Sequence, residues 1–326
     1  MNISERTLLD EIREPYHFSP ETSVSMLKVS ENITFRVTDG DKKYALRLCR
    51  PAYHTRSELE AEMVWISDVA NETDVKVASP VKNREGDYVT TIALGQQKFH
   101  CCLFPFLEGT VARELAFGSD GTIGDAIAQV GEITAQLHRQ VQRHPSYLKL
   151  NRFEWNLDSL VFHAADRWGS WRNYHELTPE TSELFARAEE ICVKRLTAYG
   201  QAPDRYNLVH TDLSLNNIII GRDGTCQVID FDDCGKGWLL YDLSSSLLEF
   251  EDNLPDMQER WAEGYEKYRH LTEADRREML TFHVLRRIVR LGWIETHIDS
   301  DTVQKIPATY YPCTIRLCEK FLEENG

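Results

Sequence analysis

The chain of 326 residues lacks several features that mark common protein classes. It has no run of about 18 apolar residues, so no membrane-spanning helix is expected. Its first residues lack a basic stretch followed by an apolar one, so we expect no secretory signal and a cytoplasmic location. Its eight cysteines include no Cys-x-x-Cys pair. That scatter favours free, buried thiols over a zinc or disulfide framework.

The sequence also lacks net positive charge, because 37 Lys and Arg residues are outnumbered by 52 Asp and Glu residues, which gives a net charge of −15 at pH 7. No basic surface is expected to offset the repulsion of a phosphate backbone, so nucleic acid is excluded as a partner. The acidic balance is equally compatible with a cationic small-molecule partner and with a role in solubility. The sequence leaves that choice open.

One short stretch carries the pattern of a catalytic loop. It reads His210-x-Asp212-x-x-x-x-Asn217, and Asp230 follows a predicted β-hairpin over residues 218–229. A carboxylate can orient a hydroxyl nucleophile and take its proton, whereas amide and carboxylate oxygens bind Mg²⁺ on nucleotide phosphates. We expect the hairpin to return Asp230 beside Asn217, so that one loop serves both tasks.

Residues 229–243 extend this pattern, and with the loop they resemble the aminoglycoside phosphotransferase and choline kinase family. The likeness is greatest to the bacterial branch with homoserine-kinase-like and stress-response-kinase-like proteins. Thr211, however, stands where protein kinases have Arg. The resemblance implies an α+β, two-lobed, protein-kinase-like fold. It implies an antiparallel β-rich ATP-binding lobe at 1–104, a hinge at 105–110 and a helical catalytic and acceptor-binding lobe at 111–326.

The same resemblance assigns roles to residues of the loop. Asp212 is the expected catalytic base, and Asn217 and Asp230 are the expected ligands of Mg²⁺. His210 and Asp242 are expected to support the loop without touching substrate. ATP is the expected phosphoryl donor, and GTP in its place stays open.

Phosphate binding is predicted in the first lobe, although no G-x-G-x-x-G segment occurs there. Ser30 and Asn32 lie between the first two predicted strands, where they either contact the phosphates or form an ordinary turn. By the resemblance, Arg47 matches the basic residue of the third strand that binds the α- and β-phosphates of the nucleotide. The alternative is an arginine that faces outward from the sheet. Glu62 is its expected partner, with Glu58 as the fallback.

The predicted reaction moves the γ-phosphoryl group of ATP to a hydroxyl of a small molecule. Amino alcohols, hydroxy amino acids and aminoglycosides all suit that description. One alternative is a protein Ser/Thr kinase of the stress-response type, against which stand the missing Ala-Pro-Glu segment and the short segment after Asp230. The other alternative is a non-catalytic nucleotide-binding module.

Two questions about the acceptor stay open in the sequence. The tryptophan-rich segments at 152–155 and 168–171 either line the acceptor pocket or pack in the core. Asp232 and Asp233 follow the predicted metal ligand, and either one is a candidate for contact with metal or acceptor.

The chain downstream of the loop is predicted to be mostly helical. A turn is expected at 235–238, and helices are expected at about 254–269, 272–298 and 302–324.

Overall fold

The computed structural model describes residues 3–29, 32–116, 123–162 and 168–325. The chain divides into two compact units. The first unit comprises Met1–Thr110, Leu150–Arg152 and Ile219–Asp232, and the second comprises Val111–Lys149, Phe153–Ile218 and Asp233–Gly326. The predicted lobe and hinge boundaries stay a prediction.

The helices and strands follow in chain order. In the first part of the chain they are α1 (Glu5–Tyr16), β1 (Ser23–Val29), β2 (Ile33–Asp39), β3 (Lys42–Leu48), α2 (Arg56–Glu72), β4 (Lys76–Val77), β5 (Val89–Leu94), β6 (Gln97–Pro105), β7 (Thr110–Val111), α3 (Ala112–Ala116) and α4 (Ile123–Gln142). The rest are β8 (Glu154–Trp155), α5 (Leu157–Leu160), α6 (Pro179–Tyr199), β9 (Tyr206–Val209), β10 (Ile218–Ile220), β11 (Cys226–Val228), β12 (Gly235–Trp238), α7 (Tyr241–Ser246), α8 (Leu254–Tyr265), α9 (Glu273–Thr296), α10 (Asp301–Gln304) and α11 (Tyr310–Asn325).

An antiparallel sheet with the order β1-β2-β3-β6-β5 forms the body of the first unit. Alternating apolar side chains of its strands, such as Phe35 and Val37, are buried against α1, which contributes Leu8 and Ile12. This burial follows from the period of two in a strand and of about 3.6 in a helix. The register sets Arg47 of β3 opposite Thr34 and Cys102.

The predicted hairpin at 218–229 is present as strands β10 and β11. The two are neighbours in a small sheet, in which β11 also pairs with β4 in parallel. Gly224 has a φ of +80° in the connecting turn, a conformation that glycine adopts without steric cost. Gly109 approaches this hairpin closely, since a Cβ atom there would lie 2.3 Å from the carbonyl oxygen of Ile220.

The turn predicted at residues 235–238 is wrong, because these residues form strand β12. It pairs with β9 in an antiparallel and with β8 in a parallel arrangement. Gly235 and Gly237 suggested a turn, but here they allow close backbone approach. A Cβ atom on Gly235 would lie 2.5 Å from the carbonyl oxygen of Phe153 and 2.8 Å from the ring of Trp155.

The helix predicted at 302–324 is interrupted. The structure has the short helix α10 and then α11, with Pro307 in the break between them. A proline removes a backbone donor and disfavours helical geometry in the preceding residue, which explains the break. Across the described residues, no helix combines the length and the apolar character that a membrane crossing needs.

The buried histidine of α9 yields a prediction about stability. His283 is fully buried, and neither ring nitrogen has a hydrogen-bond partner among the described residues. Burial lowers its pKa from 6.5 to about 3. The unfolded chain therefore binds a proton more readily than the folded one, so stability is lost as the pH falls below about 6.5.

We expect His283→Leu to remove part of this pH dependence. Between pH 6 and 4 the wild type should lose up to ~1.4 kcal/mol per pH unit more than the variant. Urea unfolding at pH 7, 6, 5 and 4 measures the difference. His270→Asn is the control, because the His270 side chain is 81% exposed. Parallel pH profiles for wild type and His283→Leu would contradict the assignment.

Candidate active site

In the second unit, the backbone of the predicted catalytic loop is held by one buried carboxylate. Asp242 lies in α7 and has no exposed surface. Its Oδ1 accepts from the backbone N–H of Thr211 at 2.6 Å, and its Oδ2 accepts from the N–H of His210 at 3.1 Å. Both donors belong to residues just before Asp212, so Asp242 fixes where the loop begins.

A histidine supports Asp242 from behind. The ring of His138 in α4 is buried, with Nε2 3.1 Å from Oδ2 of Asp242 and Nδ1 2.8 Å from the hydroxyl of Tyr265. Burial lowers the pKa of His138, and the neighbouring carboxylate only partly opposes this. A neutral ring that donates through Nε2 and accepts the Tyr265 hydroxyl at Nδ1 satisfies all three groups.

The loop adopts a strained backbone at Thr211, whose φ is +67°. A left-handed conformation is costly for a β-branched residue, on the order of 1–3 kcal/mol. The Asp242 contact offsets this cost, as does the hydroxyl of Thr211, which donates to the carbonyl oxygen of Asp233 at 2.9 Å. The strain points to a function for the residue that follows, Asp212.

The side chain of Asp212 is held by Asn217. The amide nitrogen of Asn217 donates to Oδ2 of Asp212 at 2.6 Å and to its backbone carbonyl oxygen at 2.8 Å. Because the nitrogen serves both bonds, the carbonyl oxygen of the Asn217 side chain is the atom left to bind a cation. The N–H of Asp212 donates to Nδ1 of His210 at 3.3 Å.

Two serines of α7 complete this support, and sequence reasoning missed them. The N–H of Leu213 donates to the hydroxyl of Ser245 at 3.0 Å, and the hydroxyl of Ser246 donates to the carbonyl oxygen of Leu213 at 2.8 Å. The repeated serines at 244–246 were the available signal, since buried hydroxyls need partners.

In the first unit, Arg47 forms a buried ion pair with Glu62. Its two terminal nitrogens each donate to one carboxylate oxygen at 2.7 Å, and both residues are buried. The predicted partner Glu62 is thus the one that Arg47 meets. The fallback, Glu58, instead caps the start of α2 through Thr55. The outward-facing alternative for Arg47 does not apply.

Asp232 is the second carboxylate on Arg47, at 3.3 Å from its Nη1. Its Oδ2 accepts from the amide of Asn32 at 2.8 Å, and its Oδ1 lies 3.4 Å from Nε2 of His54. Burial alone would raise the pKa of Asp232, but Arg47, His54 and Arg152 outweigh it and hold the pKa well below its usual range. Asp232 is therefore an anion that is paired with Arg47.

Sequence reasoning missed two members of this cluster, His54 and Arg152. A terminal nitrogen of Arg152 donates to the backbone carbonyl oxygen of Asp232 at 2.5 Å, and the other donates to that of Glu58 at 3.0 Å. Neither residue belongs to a motif, and long-range partners leave no local signal. The two arginines balance the charges of Glu62 and Asp232, which makes burial of all four tolerable.

Three predicted site residues remain, namely Asn32, Ser30 and Asp230. Asn32 is buried, and its side-chain oxygen accepts from the N–H of Arg50 at 3.0 Å while its nitrogen holds Asp232. Ser30 lies outside the described residues. Asp230 is exposed and has a φ of +63°, a left-handed conformation that is uncommon for a residue other than glycine. Its place beside Asn217, and the phosphate and metal roles of all these residues, stay predictions.

Comparison with known proteins supports the fold. A sequence profile described as a phosphotransferase enzyme family matches residues 28–280. The structure of a microcompartment-associated aminopropanol kinase is 31% identical, with a TM-score of 0.86 over 98% of each chain. That of an amicoumacin kinase with AMP-PNP, Ca²⁺ and Ami is 20% identical, with a TM-score of 0.75 over 98% of this chain and 94% of the other. These matches confirm the predicted α+β kinase-like fold.

Among curated sequences, an uncharacterized protein of Synechocystis sp. is 26% identical over 211 residues. The match covers 63% of this chain and 53% of the other. The chain thus spans about half the length of that relative.

Removal of the Asp242 charge should loosen the loop. We expect Asp242→Asn to lower the free energy of unfolding by about 2–4 kcal/mol, because buried donors lose a charged acceptor. Chemical unfolding at pH 7 measures the loss. Asp252→Asn is the matched control, since the Asp252 side chain is 97% exposed. Equal stability of the two variants would contradict the bracing role.

The ion pair of Arg47 gives a second test. Glu62→Gln keeps the side-chain shape but leaves a buried guanidinium with one carboxylate instead of two. We expect a loss of about 2–4 kcal/mol in the free energy of unfolding. Glu60→Gln is the control on the same helix, because its pair with Arg56 is exposed and should contribute less than ~1 kcal/mol. A Glu62→Gln variant as stable as this control would rule out the proposed balance of charges.

Proposed function

Because this chain belongs to the phosphotransferase enzyme family, we propose that it transfers the γ-phosphoryl group of ATP to a hydroxyl group of a small molecule. The observation that carries the proposal is the loop around Asp212. A carboxylate is held there by Asn217, and its backbone is fixed by Asp242. Such preorganisation suits a group that must orient a nucleophile.

In this proposal, Asp212 accepts the proton of the acceptor hydroxyl as its oxygen bonds to the γ-phosphorus. The bond between that phosphorus and the bridging oxygen of ADP breaks, and ADP leaves with the electron pair. Asn217 keeps the carboxylate oriented through its amide nitrogen. The acceptor oxygen thus gains a phosphoryl group and loses a proton.

Arg47 is the proposed cation for the nucleotide phosphates. Glu62 and Asp232 hold its guanidinium in place, and its Nε has no hydrogen-bond partner among the described residues. Burial lowers the pKa of Arg47, but Glu62 and Asp232 raise it further, so Arg47 stays charged. A fixed guanidinium is well suited to anionic oxygens.

Mg²⁺ fits the donors that the chain offers. The side-chain carbonyl oxygen of Asn217 and the carboxylate of Asp230 are the hard oxygens this ion prefers, and it would neutralise charge on the phosphates. Asn217 already uses its nitrogen on Asp212, so its oxygen can bind metal without loss of that contact. We therefore propose these two residues as its ligands.

The proposed acceptor is a small molecule rather than a protein. Only residues 231–240 separate Asp230 from α7, and they include strand β12. This leaves no room for the long activation segment on which protein kinases seat peptides. The 31%-identical aminopropanol kinase supports an amino alcohol or a related hydroxy compound.

An ADP-release assay with Asp212→Asn tests the proposal. Against a panel of amino alcohols, hydroxy amino acids and aminoglycosides, we expect the wild type to turn over at least one acceptor. The variant should lose kcat by about 10²-fold or more, because the proton acceptor is gone. Its melting temperature should still rise with Mg²⁺-ATP, since the phosphate cation is intact.

Asp223→Asn is the matched control for this assay, because Asp223 lies in the exposed turn between β10 and β11. It should keep the wild-type rate. An Asp212→Asn variant that turns over as fast as the control would refute the catalytic assignment. Full stabilisation by nucleotide without turnover on any acceptor would favour the binding-module alternative.

A further inference from the structure

Two arginines on one face of α9 form no close ion pair with a described residue. Arg286 and Arg290 are one helical turn apart, and Trp293 and His297 continue the same face. The ion pairs of the described residues include neither guanidinium, although Arg287 between them pairs with Glu251. Asp212 and Asp233 act on the charge of Arg286, but without a close ion pair both guanidinium groups can still take an anionic ligand.

This face lies close to the catalytic loop within the second unit. The carbonyl oxygen of Asp233 accepts from the hydroxyl of Thr211 and from Nε1 of Trp155, both at 2.9 Å. The ring of Trp155 lies 4.8 Å from that of Trp168. The guanidinium of Arg286 is centred 4.3 Å from the ring of Trp168. Contacts through the rings of Trp155 and Trp168 therefore link the residue before Asp212 to Arg286.

Arg286 is buried yet incompletely satisfied. It is 3% exposed, and a terminal nitrogen donates to the hydroxyl of Tyr241 at 3.2 Å, but its Nε has no hydrogen-bond partner in the described part of the chain. Burial alone would lower the pKa of Arg286, and Tyr241, Asp212 and Asp233 raise it above the usual value. The group is thus a permanent cation within the electrostatic reach of Asp212.

Arg290 is the more accessible of the two. It is half-buried, and its guanidinium is centred 5.1 Å from the ring of Tyr310 and 5.9 Å from that of Trp293. Aromatic faces hold a guanidinium in place while leaving its N–H donors in the plane free for a ligand. Carboxylates and phosphates both match such a planar fork. Because Arg47 is the proposed cation for the nucleotide phosphates, a carboxylate is the ligand that we consider for this face.

We infer that Arg286 and Arg290, with Trp155, Trp168 and Trp293, form an acceptor subsite for a carboxylate. The acceptor is then a hydroxy acid or hydroxy amino acid rather than a simple amino alcohol. Guanidinium groups of the chain already lie over the rings of Trp155, Trp168 and Trp293, at 6.0, 4.3 and 5.9 Å, which disfavours an acceptor ammonium at those ring faces. This inference rests on the proposed function and narrows its acceptor class.

Matched acceptor pairs that differ only in the carboxylate provide the test. They are L-threonine with 1-amino-2-propanol, L-serine with ethanolamine, and L-homoserine with 3-amino-1-propanol, each assayed by ADP release with the full chain. We expect a higher kcat/KM for the carboxylate member of at least one pair. Preference for the amino alcohol in every pair would overturn the inference and leave the proposed function intact.

Variants then test the arginine directly. We expect Arg290→Gln to raise KM for the carboxylate acceptor by about 10- to 100-fold, as expected for loss of a charge-assisted contact. The kcat for that acceptor and the KM for the matching amino alcohol should change little. Arg290→Lys should restore part of the affinity. Arg277→Gln, an exposed arginine of the same helix, should behave as wild type.

Equal effects of Arg290→Gln on both members of a pair would show a structural role and overturn the inference. If no acceptor turns over, the proposed function fails, and calorimetric titration of the same six compounds into the full chain still decides this point. Tighter binding of the carboxylate members, lost in Arg290→Gln, would support the subsite. Binding of none of the six would overturn it.

Discussion

The buried carboxylate of Asp242 is the constraint on which the catalytic region depends. It accepts two consecutive backbone N–H groups, and it thereby holds Thr211 in a left-handed conformation that a β-branched residue adopts only at a cost. His138 and Tyr265 satisfy the remaining polar atoms behind it. A negative charge without exposed surface is stable only when its partners are complete, so α4, α7 and α8 are all tied to the geometry of one loop.

The cluster around Arg47 also compensates buried charges, here by pairing arginines with carboxylates. Two arginines and two carboxylates are buried together, so no single charge is left uncompensated. Asp232, which the sequence left as a candidate for metal or acceptor, is held instead by Arg47, Asn32 and His54. In the proposed function, this rigid, charged guanidinium would offer the nucleotide phosphates a fixed donor in a lobe whose sequence has no glycine-rich loop.

The helical face with Arg286 and Arg290 suggests how one family fold acquires its choice of acceptor. The proposed catalytic residues Asp212 and Asn217 lie in one loop with a recognisable spacing. The proposed acceptor subsite lies instead on α9, outside that loop, and its residues form no motif. Selectivity for a carboxylate would then come from two guanidinium groups that form no close ion pair with a described residue.

The sequence by itself determined where the loop lies and that a hairpin follows it. The spacing of His210, Asp212 and Asn217 and the hairpin after them both rest on contacts within a few residues, which motif spacing and turn chemistry reveal. Only the tertiary structure decided that 235–238 is a strand, that Glu62 rather than Glu58 meets Arg47, and that Asp232 faces an arginine. These outcomes depend on burial and on partners far apart in the chain, and such pairings leave no local pattern in the sequence.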